Sequence, residues 1–281
     1  MYVFAHIFRT HNTSWTNMVS RSVEEKNLNV RRRAAFRFSL IIPAHNEQDY
    51  LPALLDSVEI ARLHYKGGSN AIEVIVANNA STDRTAEIAS ARGCLLVHEE
   101  KRVIAAVRNA GAAASQGEIL TFIDADSRIH PNTFNAIDRA ILNNRVIAGA
   151  TGVSMERVSL GIVMAYMVMV PLTWATGMDT GVVFCRRSDF VAIGGYNEQK
   201  LFAEDVDFLW RLRHLGGPRG QKLTRVTSIK AVTSMRKFDQ HGDWHYFSLI
   251  AYALYGMCFS SKRVEEFAKK YWYDDRNRDK G

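Results

Sequence analysis

Five acidic residues in the 281-residue chain stand where chemistry could be done: Asp124 and Asp126 on either side of Ala125, Glu204 beside Asp205, and Glu47. The first pair lies where the apolar run "EILTFI" stops. In a strand, side chains at i and i+2 share a face, so both carboxylates would point the same way. Like charges a few ångströms apart repel unless a cation or a proton lies between them. The pair therefore predicts a cation, and something for that cation to hold. Glu204 and Asp205 open "EDVDFLWRLRHLGG", a helical stretch whose dipole already accounts for any single acid in its first turn.

The elements that position these residues alternate regularly. "FSLIIP", "EVIVA", "CLLVHE" and "EILTFIDAD" read as four short apolar strands. Three helical patterns separate them. In the first, Leu51, Leu54, Leu55, Val58 and Ala61 share a face, and Asn46 or Asp49 can cap it. The second, "STDRTAEIASARG", starts at Ser81 and stops at Gly93; the third, "VIAAVRNAGAAASQG", stops at Gly117. Continuous apolar strands between helices predict an α/β fold with a mostly parallel sheet covered on both faces. Such sheets bind ligands at the carboxyl ends of their strands. "PAHNE", "NNASTD" and "DAD" all fall at such ends, so three polar loops converge on one rim. Further on, "GVVFCRR" reads as a strand, "SDFVAIGGY" as a short helix closed by Gly194-Gly195, and "TRVTSIKAVTSMRKF" as one more strand.

Composition narrows the class. Three separated cysteines in no CxxC arrangement argue against a disulfide framework or a zinc site and fit a cytoplasmic setting. The net charge of +7 suits an anionic partner, but it is spread along the chain without a basic-aromatic motif, so nucleic acid is not predicted. "MYVFAHIFR" lacks a basic start and is broken by His6 and Arg9, which is unlike a signal peptide; residues 1–37 read as a tail or added helix. Residues 38–240 read as one α/β domain and 241–281 as a helical extension. From Val158 to Met178 there is no charge for 21 residues, long enough to span a bilayer. Pro171 and two glycines dilute it, so the segment is read as a buried or surface-lying helix, and with "LIAYALYGM" it predicts peripheral membrane association.

The stretches "LIIPAHNEQDYLPALLDSV", "EVIVANNASTDRTAEIA", "RNAGAAASQGEILTFIDADSRIHP" and "GGYNEQKLFAEDVDFLWRLRHLG", in this order and spacing, resemble glycosyltransferase family 2, whose members have the GT-A fold. The resemblance implies an inverting, metal-dependent transfer of a single sugar from a nucleotide sugar, by family habit a UDP-sugar, to a hydroxyl acceptor; the uncharged segment, "LIAYALYGM" and the net charge add the expectation that this acceptor is lipid-linked or membrane-proximal. It implies that Asp124 and Asp126, flanking Ala125, hold the donor and a Mg²⁺ or Mn²⁺ ion on its diphosphate. Pro43, Ala44, His45, Asn46 and Glu47 match the loop that contacts the nucleoside, although His45-Asn46 also reads as a plain helix cap. Asn78 and Asn79 stand where the family usually has aspartate at one or both positions; an asparagine oxygen can accept a base N–H but brings a donor with it. Arg108 and Asn109 match a basic-asparagine pair that contacts phosphate or nucleoside, and Arg236 or Lys237 a position that closes over the diphosphate. Asp205 matches the general base, with Glu204 as the alternative. The chain lacks the Gln-x-x-Arg-Trp pattern of processive synthases. Two other readings stand beside this one: a nucleotidyltransferase, though "PAHNEQDY" has no glycine- and arginine-rich signature, and a non-catalytic nucleotide- or carbohydrate-binding relic.

Overall fold

The computed structural model describes residues 36–157, 159–161, 163, 164, 167, 179–201, 203–236, 239, 242 and 244. The N-terminal tail, most of the uncharged segment 158–178, Lys237 and nearly all of 241–281 lie outside these residues.

The first half alternates as its sequence pattern requires. Strand β1 (Phe38–Ala44) is buried at every position. It is followed by α1 (Leu51–His64), β2 (Ile72–Asn78), α2 (Thr85–Ala91), β3 (Leu95–His98), α3 (Ile104–Ala114) and β4 (Ile119–Phe122). Then come β5 (Ser127–Arg128), α4 (Thr133–Leu142), β6 (Val146–Ala150), β7 (Val153–Met155), β8 (Val183–Arg186), α5 (Arg187–Ala192), α6 (Glu204–Gly216), β9 (Lys222–Arg225) and β10 (Ala231–Thr233). Seven strands make one sheet in the order β3-β2-β1-β4-β8-β6-β9. β3, β2, β1 and β4 are mutually parallel, while β8 runs antiparallel to both β4 and β6. One core cluster joins Leu40 and Ile42 of β1 to Leu51, Leu54 and Val58 of α1; the other joins Ile41 to Ala105 and Ala112 of α3 and Phe208 and Leu212 of α6. β1 is therefore covered on both faces, which is why its apolar run does not alternate. Gly111 permits the close approach of α3, since a Cβ there would lie 2.6 Å from Ile41 Cγ2.

Several local expectations change. β4 ends at Phe122, so Asp124 and Asp126 sit in a turn closed by Ser127 N–H donating to the Asp124 carbonyl, not on a strand face. α1 is capped by neither Asn46 nor Asp49; its N-cap is Tyr50, and Pro52 occupies the first turn, where no backbone donor is needed. α2 begins after Arg84, not at Ser81, with Asp83 accepting from the Thr85 backbone and hydroxyl. The long "TRVTSIKAVTSMRKF" strand is two short ones in separate sheets. β10 joins β5 and β7 in a small three-stranded sheet, and this brings residues 234–236 against the Asp126 turn.

Candidate active site

The loops after β1 and β2 are laced together before any ligand is considered. Asn46, at φ 54°, donates its N–H to Ser81 Oγ and accepts from the Thr82 backbone. Gln48 N–H donates to Asp83, and Glu47 N–H to Thr85 Oγ1. Asn78 Oδ1 accepts the Ser81 N–H. Asn46 and Asn78 thus fix the loops, and neither lines the cavity they frame. That cavity, about 350 Å³, lies at the carboxyl ends of β1, β2 and β4. Asn109 bonds the Tyr196 backbone instead, and twelve expected residues line the cavity: Pro43, Ala44, His45, Glu47, Asn79, Arg108, Asp124, Ala125, Asp126, Glu204, Asp205 and Arg236.

Arg108, buried on α3, joins three of its carboxylates. Nη1 donates to Glu204 Oε1 at 2.8 Å and Asp205 Oδ1 at 2.9 Å, and Nη2 to Asp124 Oδ1 at 3.0 Å. Burial works against the guanidinium charge, but the carboxylates, Asp205 foremost, outweigh it and hold Arg108 protonated. The first turn of α6 therefore does more than complement a helix dipole. Burial raises the Asp205 carboxyl to about 6; Arg108 opposes that rise, and Glu204 and Asp124 add to it. A carboxylate so placed is ionised at neutral pH yet basic enough to accept a proton.

A second cluster is built around Arg236, which grips Glu47 through both guanidinium nitrogens at 3.0 and 3.1 Å and lies 4.7 Å over the Tyr50 ring. Its Nη2 also reaches Asp126 Oδ2 at 3.4 Å, where the Ser234 hydroxyl donates at 3.0 Å. Asp124 and Asp126 thus have separate arginine partners, so part of their repulsion is met by the protein itself. Deeper in the same rim, Asn79 donates both amide hydrogens to backbone carbonyls, of Glu99 at 2.7 Å and Lys101 at 3.1 Å. Only an NH₂ group can face two carbonyls, so its orientation is fixed and its oxygen is left as an acceptor. His45 Nδ1–H donates to the Asn79 carbonyl at 2.6 Å.

Five carboxylates and three guanidinium groups line the cavity, an excess of acid that a diphosphate would increase. Among the described residues no three His, Cys, Asp or Glu side chains form a ready-made metal cage. The donor set suits a hard divalent ion that takes one or two carboxylates here and its other ligands from phosphate and water. Asp126, whose contacts both fall on Oδ2, is the better placed of the pair, because Asp124 is more than half exposed. Sequence reading missed Arg102, Thr180, Leu201 and Val206 in the cavity wall, and Tyr196, which donates its hydroxyl to Asp205 at 3.1 Å. Arg102 precedes the "VIAAVRNAG" helix; Tyr196, Leu201 and Val206 lie within residues 194–216, where no local pattern marks them, and Thr180 falls between the stretches read.

The family model described as glycosyl transferase family 2 matches residues 39–215. Glycosyltransferase GlyA of Streptococcus pneumoniae is 30% identical over 111 residues, covering 38% of this chain and 15% of that protein. The uncharacterized glycosyltransferase YibD of Escherichia coli is 22% identical over 192 residues, covering 63% of this chain and 53% of that protein. The chain spans well under two-thirds of the length of either relative. Among solved structures, the mannosyltransferase PcManGT of Pyrobaculum calidifontis, in complex with GDP-Man and Mn²⁺, superposes with a TM-score of 0.56 at 20% identity, over 70% of this chain and 56% of that one. TarS of S. aureus, in complex with UDP-GlcNAc, gives 0.54 at 17% identity, over 71% and 58%. These two likenesses show the fold, the GT-A arrangement expected from the strand and helix order. The nucleotidyltransferase reading gives way to the family match. One family model covers more than half of the chain and takes in most of the cavity wall, and the protein belongs to glycosyl transferase family 2.

Proposed function

We propose that this glycosyltransferase moves a single sugar, with inversion, from a nucleotide-sugar donor to a hydroxyl acceptor, and that it needs a divalent ion to do so. The observation that carries the reading is the shared cavity: Asp205, raised to about 6, and the Asp124–Asp126 turn lie on one wall system bridged by Arg108. Asp126, with Asp124, would hold Mg²⁺ or Mn²⁺. Such an ion, when bound, screens the diphosphate and stabilises it as a leaving group. Arg236 is a cation placed to turn from Glu47 and Asp126 toward a phosphate oxygen. Asp205 takes the proton of the acceptor hydroxyl as that oxygen attacks the anomeric carbon. One base and no enzyme nucleophile mean a single displacement, hence inversion.

Asn79 supports a donor whose base presents an imino N–H, as uracil does at N3 and guanine at N1; a uridine nucleotide is the family's usual choice. The test is a panel of UDP- and GDP-sugars assayed for hydrolysis and transfer with Mg²⁺, Mn²⁺ or chelator, with the product anomer read by NMR. Retention of configuration, or full activity in chelator, would refute the mechanism.

A membrane-proximal acceptor is favoured by one further observation. Leu160, Val163, Met164 and Met167, at i, i+3, i+4 and i+7 of a helical stretch, are 72%, 39%, 39% and 58% exposed. Such a face suits the interfacial layer of a bilayer. Among the described residues no helix is long and apolar enough to cross a membrane. Flotation with anionic vesicles, reversed by salt, is the expected behaviour; release by detergent alone would mean a span.

A further inference from the structure

Asp205 is held from one side only. The Arg108 guanidinium and the Tyr196 hydroxyl both land on Oδ1, at 2.9 and 3.1 Å. Oδ2 carries neither bond.

The tyrosine is itself fixed from several directions. Its ring stacks on Phe208 of α6 with centroids 4.1 Å apart and planes 10° from parallel, and Phe122 of β4 meets it edge-on at 5.2 Å. Its backbone is gripped by one side chain. Asn109 Oδ1 accepts the Tyr196 N–H at 2.8 Å, and Asn109 Nδ2 donates to the Tyr196 carbonyl at 3.0 Å. The preceding turn makes this grip possible: Gly195 has φ 73°, and a Cβ there would lie 2.7 Å from Asn109 Oδ1. Arg108 and Asn109, adjacent on α3, therefore act on the same carboxylate by two routes. Arg108 bonds it directly, and Asn109 sets the residue whose hydroxyl bonds it.

We infer that Tyr196 is a positioning residue that fixes which oxygen of Asp205 meets the acceptor, leaving Oδ2 to take the proton. This rests on Asp205 being the base. As the acceptor oxygen bonds to the anomeric carbon, the bond from that carbon to the diphosphate oxygen breaks and its electron pair leaves with the nucleotide. The acceptor proton passes to Oδ2, while the Tyr196 proton stays on its own oxygen and stabilises the carboxylate before transfer. A phenylalanine would fill the same ring position against Phe208 but could not orient the carboxylate. The charged and titratable groups around Asp205 are Arg108 from α3, Glu204 beside it on α6, Asp124 from the turn after β4, and Tyr196. With Arg108 still on Oδ1, loss of the hydroxyl frees the carboxylate to rotate about a single anchor.

Tyr196→Phe removes the hydroxyl and keeps the ring. A hydrogen bond to a charged group is worth roughly tenfold to a hundredfold, so kcat for transfer should fall by about that factor. Donor KM and melting temperature should hold, and the acid limb of the pH profile should move upward, because a donor to the ionised form is lost. In an Asp205→Asn background the same change should add no further loss. A purely structural role predicts the opposite: a lower melting temperature, an unmoved limb and additive effects. If Asp205→Asn is inactive but Tyr196→Phe turns over normally with an unmoved limb, the positioning role alone is wrong. If Asp205→Asn itself retains turnover, the assignment of the base falls and this inference falls with it.

Discussion

Replacing Arg108 by methionine tests the centre of the site, because one guanidinium answers three carboxylates there. The arginine side chain is 4% exposed, against 14% for Glu204, 24% for Asp205 and 56% for Asp124. Removing one partner of a buried pair costs about 3–5 kcal/mol. The bond to Asp124 is well solvated and adds little, so the lower end, about 3 kcal/mol, is expected. For a chain of this size that corresponds to a fall in melting temperature of about 6–12 °C. The variant should still fold, with its change concentrated in the pH behaviour.

Arg108 is the foremost influence holding the Asp205 carboxyl down against burial. An opposite charge at this range lowers a carboxyl by about 1–3 pH units, so its loss should carry the acid limb from about 6 to roughly 7–9. With the limb near 8, only about a tenth of the base is ionised at pH 7, and kcat/KM there should fall about tenfold for this reason alone. Much of the loss should return at high pH. Stability follows the same group. The folded-state Asp205 binds its proton more tightly than the unfolded chain does, so its contribution is present at low pH and lost as pH rises through about 6. In Arg108→Met that loss should extend to higher pH, and the gap in melting temperature from wild type should widen on going from pH 5 to about pH 9. The assays are a kcat/KM profile against pH with saturating metal and thermal melts across the same range. A limb that stays near 6, with an unchanged melt, would refute the coupling of Arg108 to the base.

Three other substitutions separate the roles. Asp126→Ala should abolish metal-dependent donor binding while leaving the melting temperature near wild type; calorimetry showing unchanged affinity for the donor with Mn²⁺ would remove Asp126 from the metal site. Asp205→Asn should retain donor affinity and lose at least about 100-fold in transfer, as expected for a missing general base. An active Asp205→Asn enzyme beside an inactive Glu204→Gln would move the base to Glu204. Asn79→Asp should do harm: a carboxylate would face the carbonyls of Glu99 and Lys101 and forfeit two buried hydrogen bonds, a loss of about 2–3 kcal/mol. Donor affinity and melting temperature measured together should both drop; a rise in affinity would show that the amide is not fixed.

The alternation of strands and helices, and with it the rim where three loops meet, was legible in the chain because burial on both faces of a parallel sheet demands continuous apolar runs. Eight of the expected residues that line the cavity, Pro43, Ala44, His45, Glu47, Asn79, Asp124, Ala125 and Asp126, end or follow β1, β2 or β4 and reach it for that reason; Arg108, Glu204, Asp205 and Arg236 come to it from α3, α6 and the segment after β10. The pairing of those residues was not legible. Arg108 lies 96 and 97 positions from Glu204 and Asp205, and Arg236 lies 189 from Glu47; such bonds depend on the packing of α3 against α6 and on the small sheet that carries β10 to the Asp126 turn. Nor could local pattern tell that Asn46 and Asn78 secure loops while Asn79 faces the cavity, because the same amide serves either purpose. That distinction belongs to the carbonyls of Glu99 and Lys101, which only the tertiary structure brings within reach of Asn79, and to the ring stack that fixes the Tyr196 hydroxyl on Asp205.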